Sequence, residues 1–479
     1  MRTVTAVIPK MTIKIKKTSE SGMFSFLFCD YYTINLRVFQ AFGAVKKEKT
    51  VHGLVCFCAY CLGMRTILHS DLNNFYASVE CLRRPEIRKK PVVVVGAKED
   101  RHGIVLAKNM IAKRAGVKTG DVYWEARQKC GGELVEVQAD FAEYLKVSKE
   151  VRKIYEDYTD RIEAFGIDEC WLDVSQSLFL FGSGAQIAHT IRERVKKEIG
   201  ITVSVGVSWN KVFAKLGSDM EKPDAVTEIT QENYKETVWS LPAEELLYVG
   251  SATKQKLHKL GIKTIGQLAA AEEALLVRVL GKWGSYLSAF ANGKDNSPVV
   301  TVDEEENIKS IGNSLTVYRD LKDDEDVRMV IHLLADSVGA RMREAGLMRA
   351  RTVHVSVRAS DLSGYRKQGK LHRPTCHANE LAQKAFALFR EMYPWENAVR
   401  SVGLSVSDFC FGAEQLDLFG SIEKDEKQKR IDAAVDKLRK KYGNNVIQSA
   451  IVYKDPKIRD LDIKGEHVIH PYGFFKNGT

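Results

Sequence analysis

The sequence predicts a multidomain protein of mixed class, in which an α/β part is followed by a helical part and an α+β part. The chain has 479 residues, which is enough for three or four domains. Strand and helix patterns alternate between residues 66 and 207, and the region from about 231 to 297 shows only short helical patterns. Alternating apolar residues return after residue 310, so a second sheet is expected there.

The α/β part is predicted to begin with a short buried strand and to end with a strand of alternating valines. The predicted elements, in chain order, are strands at 66–70 and 91–96, helices at 104–115 and 141–158, a hairpin at 161–174, a helix at 185–199 and a strand at 201–207.

The last part is predicted to combine helices with strands that are buried on one face. Val353, Val355 and Val357 alternate with polar residues, as expected for such a strand. Near the C-terminus four apolar residues share one helix face, which we expect to pack on the body of the protein: Ile431, Val435, Leu438 and Tyr442.

The first 63 residues show no sustained period, and we interpret them as an unmatched extension, either disordered or upstream of the true start at Met64. Four residues in this segment are of the types that bind zinc, namely His52, Cys56, Cys58 and Cys61. Because no second pair of ligands follows, no metal is expected there, and an accessory role for the segment is the alternative.

Composition places the chain among soluble globular proteins, with 44% hydrophobic and 28% charged residues. The net charge of +10 favours a polyanionic partner. No apolar run is long enough for a membrane span. Nine irregularly spaced cysteines fit a reducing compartment, so we expect a cytoplasmic protein.

Two segments place carboxylates where an apolar strand meets a turn. Asp71 lies in Ile67-Leu68-His69-Ser70-Asp71, and Asp168 and Glu169 lie in Gly166-Ile167-Asp168-Glu169-Cys170. Each acid alone is also typical of a cap or a turn. Together they supply oxygen ligands for one or two hard divalent cations, which suits phosphoryl or nucleotidyl transfer.

The sequences of these two segments resemble motifs of the Y-family translesion DNA polymerases. Within that family they are most similar to the bacterial DNA polymerase IV branch. The resemblance runs from Met64 to about residue 455 and includes three further blocks: 204–211, 218–223 and 249–253. A fourth block is the peptide 415–419. The resemblance as a whole implies a right-hand polymerase with a palm, small fingers, a helical thumb with a helix-hairpin-helix, and a little finger.

The resemblance also implies domain boundaries. They are 64–74 and 137–230 for the palm, 75–136 for the fingers, 231–297 for the thumb, 298–309 for a linker, 310–412 for the little finger, and 413–479 for a clamp-binding peptide with a tail.

By the resemblance, Asp71 and Asp168 bridge two Mg²⁺ ions, Glu169 completes the site on the primer side, and the backbone carbonyl of Leu72 is a further ligand. One cation would lower the pKa of the primer 3′-hydroxyl, and the other would hold the triphosphate. Asn73 stands where many relatives have a second Asp.

The resemblance makes Tyr76 the steric gate that excludes a 2′-hydroxyl, with Phe75 packing beside it. Lys222 matches a lysine that contacts the incoming deoxynucleoside triphosphate. The fingers depart from the pattern, because Met110 and Lys113 replace a Tyr and an Arg. Lys113 retains a charge but lacks the forked guanidinium.

The remaining predicted contacts concern DNA and a partner protein. Gly250, Ser251 and Gly261 resemble a helix-hairpin-helix that holds a phosphate of primer-template DNA through backbone amides. His354 and Arg358 lie on the polar face of a predicted strand that would lie along the duplex.

The peptide that follows the little finger has the form that docks the bacterial sliding clamp, its β subunit. Leu416, Leu418 and Phe419 would fill an apolar groove while Gln415 bonds at its edge.

We therefore expect a monomeric, low-fidelity, template-directed DNA polymerase that adds deoxyribonucleotides to primer ends in translesion synthesis. Two alternatives are a palm-type nucleotidyl cyclase, which would need neither thumb nor clamp peptide, and a catalytically impaired DNA-binding relative. The latter should have lost one of the three carboxylates, and all three are present.

Overall fold

The computed structural model describes four short strands among the first 34 residues, and residues 65–96, 103–301, 308–346, 349–410 and 421–466. The chain divides into two compact units, residues 1–64 and 65–479. The four strands of the first unit form one antiparallel sheet in the order β1-β2-β3-β4. Their bounds are Val4–Ile8, Met11–Lys17, Phe24–Phe28 and Thr33–Ile34.

The second unit begins with a five-stranded sheet in the order β12-β11-β5-β10-β9. The central strand β5 pairs antiparallel with both β10 and β11. Its strands are β5 Ile67–Leu72, β9 Ile162–Ala164, β10 Glu169–Asp173, β11 Val203–Ser208 and β12 Val226–Glu228. Its helices are α1 Phe75–Arg83, α4 Phe141–Glu156, α5 Leu178–Phe181, α6 Gly184–Arg194 and α7 Lys211–Met220.

Every residue of β5 is buried, because helices cover both faces of the sheet. Leu68 and Leu72 join the apolar core with α1, α4 and α6. The alternate residues Ile67, His69 and Asp71 face α7, whose Ala214 packs against Ile67. The period of two therefore directs one side of β5 to the core and the other to a helix that carries polar groups.

A three-stranded sheet in the order β7-β6-β8 lies between α1 and α4 in the chain. Its elements are β6 Val92–Val95, β7 Val105–Lys108, α2 Met110–Arg114, α3 Tyr123–Lys129 and β8 Val135–Gln138. The predicted helix at 104–115 is therefore wrong in its first half. Asn109 ends the strand and caps α2 by accepting from the amide of Ala112, so the helix begins only at Met110.

Residues 231–297 form short helices, as predicted, and their apolar core also includes Val212, Phe213 and Leu216 of α7. The helices are α8 Tyr234–Val238, α9 Ser251–Lys259, α10 Ile265–Ala270, α11 Glu273–Leu280 and α12 Lys282–Ala291.

The C-terminal part contains a four-stranded antiparallel sheet in the order β13-β16-β14-β15, packed on two long helices. Its elements are β13 Ser310–Leu321, α13 Asp324–Glu344, β14 Arg349–Ala359, β15 Gly364–Thr375, α14 Ala378–Met392 and β16 Val399–Cys410. Val353, Val355 and Val357 point into this core, as the alternation predicted.

The tail contains α15 Ser421–Tyr442, α16 Pro456–Arg459 and α17 Ile463–Glu466. The prediction that the apolar face of α15 packs on the body is wrong, because Ile431, Leu438 and Tyr442 are 45%, 41% and 60% exposed. The polar side docks instead. Arg343 binds Asp436 at 2.6 Å, and the buried His377 binds Asp432 at 2.6 Å.

None of the described helices has the length and apolar character that crossing a membrane requires.

Candidate active site

The central sheet brings Asp71, Asp168 and Glu169 together. Asp71 on β5 lies opposite Glu169, the first residue of β10, in the antiparallel register. The amide of Leu72 donates to the carbonyl of Asp168 at 2.9 Å, which fixes the turn before β10 against the end of β5. Two segments that are a hundred residues apart in sequence thus place three carboxylates at one end of two neighbouring strands.

Helix α7 adds two cations to this end of the sheet. Lys215 Nζ lies 2.8 Å from Glu169 Oε2 and 3.5 Å from Asp71 Oδ2. Lys222, just beyond the helix, has its Nζ 2.6 Å from Asp71 Oδ2 and 2.7 Å from Asp219 Oδ1. The sequence reasoning found Lys222 but missed Lys215. The spacing of Lys215, Asp219 and Lys222, four and then three residues, was the signal for a shared helix face.

Glycine makes this close approach of α7 possible. A Cβ added at Gly206 of β11 would lie 1.9 Å from the carbonyl oxygen of Ala214 and 2.5 Å from the amide nitrogen of Ser218. The backbone of the helix therefore lies directly on the strand. This contact brings Lys215 and Ser218 down to the residues of β5.

Asn73 supports the same region by hydrogen bonds. Its Nδ2 donates to Ser204 Oγ at 2.9 Å, and its Oδ1 accepts from the amide of Asp224 at 2.8 Å. Asn73 is buried, so an amide that both donates and accepts serves better here than a carboxylate, which only accepts. The residue ties the loop after Lys222 to the end of β5.

Burial is the largest influence on the acids. It raises the pKa of Asp71 to about 7 against the opposing charge of Lys222, and it raises the pKa of Asp168 to about 6. Burial also opposes the ionisation of Glu169, but His69 and Lys215 outweigh it and hold the pKa of Glu169 well below its usual range. The site therefore favours ionised Glu169 and resists the ionisation of its two neighbours unless cations are near.

The donor set, carboxylate and backbone oxygens, is the type that hard divalent cations prefer. Within the described residues no group of three acid, His or Cys side chains is gathered closely enough to form a ready metal cage. The carboxylates contact ammonium groups instead. The chemistry of the donors fits a divalent cation, with Lys215 and Lys222 balancing the charge in this structure.

Tyr76 lies in a group of aromatic rings with Phe75, Phe141 and Tyr144. Its ring stacks on that of Tyr144 with centroids 4.4 Å apart and planes 10° apart. Burial raises the pKa of Tyr76 to about 12, and the charge of Asp168 adds to the effect. Phe75 is buried in the core. Tyr144, which sequence reasoning missed, is itself held by Glu80, whose Oε1 accepts from the Tyr144 hydroxyl at 2.8 Å.

The fingers residues lie on α2 and the strand before it. Met110 is half-buried at the start of α2, and Lys113 is exposed one turn further on. Lys108, which the sequence reasoning did not consider, ends β7 and donates to Thr119 Oγ1 at 3.0 Å. Burial and the charge of Lys113 lower the pKa of Lys108.

The candidate DNA contacts lie in two other parts of the chain. Gly250 precedes α9, Ser251 begins it, and Gly261 follows it with φ of +76°, a conformation that glycine adopts readily. His354 and Arg358 lie on β14, and the Nε2 of His354 is 2.7 Å from Ser407 Oγ on the neighbouring strand. The clamp-type peptide, Gln415, Leu416, Leu418 and Phe419, lies outside the described residues, as do His52 and the three cysteines near it.

The chain is similar to known proteins along most of its length. Residues 70–219 match the impB/mucB/samB family, and residues 308–418 match the C-terminal domain of that family. A DNA polymerase IV of Acetivibrio thermocellus is 53% identical over 393 residues, which cover 82% of this chain and 98% of that protein.

Two further relatives and a solved structure extend the comparison. DNA polymerase IV of Clostridium acetobutylicum is 36% identical over 82% of this chain and 100% of that protein. DNA polymerase IV 1 of Bacillus subtilis is 35% identical over 81% and 94%. A Y-family DNA polymerase chimera has the same fold, with a TM-score of 0.64, 24% identity, and coverage of 72% of this chain and 100% of that one.

These matches confirm the family, the right-hand polymerase fold and the enzyme class predicted from sequence, and they do not support the cyclase alternative. Polymerases of this kind depend on divalent metal ions and act on DNA and nucleotides. The chain belongs to the Y-family DNA polymerases and is a template-directed polymerase of translesion DNA synthesis.

Proposed function

We propose that Asp71, Asp168 and Glu169, with the carbonyl of Leu72, hold two Mg²⁺ ions at the primer end. The observation that supports this proposal is the pairing of Asp71 with Glu169 across adjacent strands, with half-buried Asp168 directly before Glu169 in the chain. The ions would supply an activated 3′-hydroxyl and a stabilised pyrophosphate. The protein's part is to keep the acids close, to exclude water from them, and to balance their charge with Lys215 and Lys222.

This proposal is tested by Asp168→Ala and Glu169→Ala, with Asp173→Asn on the same strand as the matched control. We expect both alanine variants to lose primer extension and to bind Mn²⁺ more weakly, while their DNA affinity stays near wild type. Extension in Mg²⁺ that survives either alanine change would contradict the assignment. The control should keep metal binding, because Asp173 lies at the far end of β10, where it pairs with Ile67.

We further propose that the incoming deoxynucleoside triphosphate lies between Tyr76 and two cations, Lys113 and Lys222. The support for the gate is the fixed position of the Tyr76 ring, which is stacked on Tyr144 near Asp168. Phe75 would keep the gate in place from the core. The support for Lys222 is its position 2.6 Å from Asp71, where phosphate oxygens and metal would also gather.

The domain boundaries given above are part of the proposal. Separate apolar cores support the fingers and the little finger, while the palm core also includes α1 and the thumb core also includes residues of α7. Primer-template DNA would pass between the amides at Gly250, Ser251 and Gly261 and the little-finger strand that carries His354 and Arg358. Alanine at Arg358 should weaken DNA binding in a salt-dependent manner.

We propose that Gln415, Leu416, Leu418 and Phe419 dock the sliding clamp, and that the enzyme is otherwise a cytoplasmic monomer. The support is the sequence of the peptide, since apolar anchors carry most of the energy of a small interface. Replacing Leu418 and Phe419 by Ala should abolish stimulation by the clamp and leave clamp-free synthesis unchanged. Leu438→Ala, a change of an exposed leucine outside the peptide, is the control.

A further inference from the structure

His69 lies beneath the carboxylates, two residues before Asp71 on β5, and is fully buried. In the register of the sheet it is opposite Trp171 on one side and Gly206 on the other. Its Nδ1 is 2.8 Å from Ser218 Oγ on α7, and its Nε2 is 3.5 Å from Glu169 Oε2. The imidazole therefore connects the helix that supplies the lysines to the acid on β10.

We propose that His69, held by Ser218, is a positioning residue that sets which oxygen of Glu169 is offered to a divalent cation. The proposal rests on the metal site proposed above and deepens it. His69 and Lys215 both approach Oε2 of Glu169, at 3.5 and 2.8 Å. Of the two carboxylate oxygens, they leave Oε1 to a metal ion.

The arrangement has the form of a support behind a metal ligand. Groups that orient a ligand from behind change metal affinity by about 10- to 100-fold when they are removed. Ser218 fixes the ring because its hydroxyl has both His69 Nδ1 and the carbonyl of Lys215 within 2.8 Å. The single proton of the Ser218 hydroxyl cannot serve both the carbonyl of Lys215 and Nδ1 of His69. In the proposed tautomer it goes to Nδ1, and the ring carries its own proton on Nε2, on the side that faces Glu169. Gly206 contributes to the same support, because it lets α7 come close enough for Ser218 to reach the imidazole ring.

Packing alone is the competing role for His69, since its ring also meets the edge of Trp171 at 5.2 Å. A packing residue would affect the melting temperature but would leave the affinity for a metal ion unchanged once the protein is folded. A positioning residue would affect metal affinity even in a variant of normal stability. Metal binding in the absence of DNA and nucleotide therefore separates the two roles.

The test uses the full chain and measures Mn²⁺ binding by electron paramagnetic resonance, with melting temperature and kcat measured on the same samples. We expect His69→Leu to weaken Mn²⁺ binding by about 10- to 100-fold and His69→Gln to recover most of the loss, because an amide N–H can again point at Glu169. Ser218→Ala should weaken binding less. The double variant His69→Leu/Ser218→Ala should bind Mn²⁺ no more weakly than His69→Leu alone, since both changes remove the same support of Glu169.

Unchanged Mn²⁺ affinity in folded His69→Leu, or losses that add in the double variant, would overturn the proposal. If His69→Leu does not fold, Ser218→Ala decides, because it keeps the imidazole: weaker Mn²⁺ binding supports the proposal and unchanged binding refutes it. Asp168→Ala in the same assay reports on the metal site itself. Mn²⁺ binding that is insensitive to Asp168→Ala would refute the proposed metal site rather than the role of His69.

Discussion

Gly206→Ala should disable catalysis although position 206 touches neither substrate nor metal. The added Cβ would lie 1.9 Å from the carbonyl oxygen of Ala214, and the closest approach that Cβ atoms tolerate is 3.0 Å. Helix α7 must therefore retreat from β11 by about 1 Å. Lys215 and Ser218 would move with it, and Lys222 follows directly after the helix.

The size of the effect follows from this displacement. An error of about 1 Å in the position of catalytic groups costs on the order of 10²-fold in rate. Overpacking of a buried contact destabilises a fold by about 1–3 kcal/mol. We therefore expect Gly206→Ala to stay folded, with a lower melting temperature and a kcat reduced about 100-fold.

Two glycines provide matched controls. Gly217→Ala, on the helix side of the same contact, would place its Cβ 3.2 Å from the Gly206 Cα, so a shift of a few tenths of an ångström suffices. Gly364→Ala would meet nothing within 4 Å. Steady-state primer extension and thermal denaturation of the three variants should rank them with Gly206→Ala most impaired and Gly364→Ala near wild type. A wild-type kcat for Gly206→Ala would refute the argument that close helix packing places the lysines.

The remaining predictions concern the gate, the acids and the fingers. Tyr76→Ala should admit ribonucleotides, with discrimination reduced by on the order of 10²-fold, and unchanged discrimination in single-nucleotide incorporation would exclude Tyr76 as the gate. Because burial raises the folded-state pKa of Asp71 from 3.8 to about 7, its ionisation destabilises the metal-free fold as pH rises between these values, and the loss is complete above pH 7. Asp71→Asn should thus raise the unfolding free energy of the metal-free protein at pH 8 by on the order of 2–4 kcal/mol, and it should change this free energy little at pH 4. Chemical denaturation at both pH values measures the effect. An equal gain in unfolding free energy at both pH values would contradict the prediction. Met110→Tyr should lower the apparent nucleotide KM about fivefold, the value of one hydrogen bond, and an unchanged KM in the same kinetics would mean that the triphosphate is held by other groups.

The positions of the carboxylates could be predicted from sequence, but their partners could not. Asp71 lies near the end of one apolar strand and Glu169 begins another. A motif at the end of a strand can be recognised from the sequence alone. Lys215 offered only its spacing from Asp219 and Lys222, and His69 offered no signal, because a lysine in a helix is usually a solvated charge and a histidine in a strand is usually core. Their roles arise only when β5, β10 and α7 meet in three dimensions.

Two errors in the predicted elements have local physical causes. The apolar run from Ile104 to Ala107 is too short for its period to distinguish a strand from a helix, and Asn109 then acts as a cap that the prediction placed inside the helix. The apolar face of α15 was expected to be buried. The helix instead contacts the body through charged residues, which pair with partners on α13 and at the N-terminus of α14. Arg343 forms a forked pair with Asp436, and His377 binds Asp432. Charge complementarity between distant segments cannot be read from the helix alone.

The two lysines explain how three acids can lie so close together in this fold. Burial opposes the ionisation of all three carboxylates, so the fold needs compensating positive charge near them. Lys215 and Lys222 supply it, and both come from α7 and its end. In the proposed site, Lys222 would exchange Asp71 for a phosphate of the substrate, while Lys215 would stay against Glu169. The same helix that balances the charge of the acids therefore also supplies the cation that we propose to contact the nucleotide.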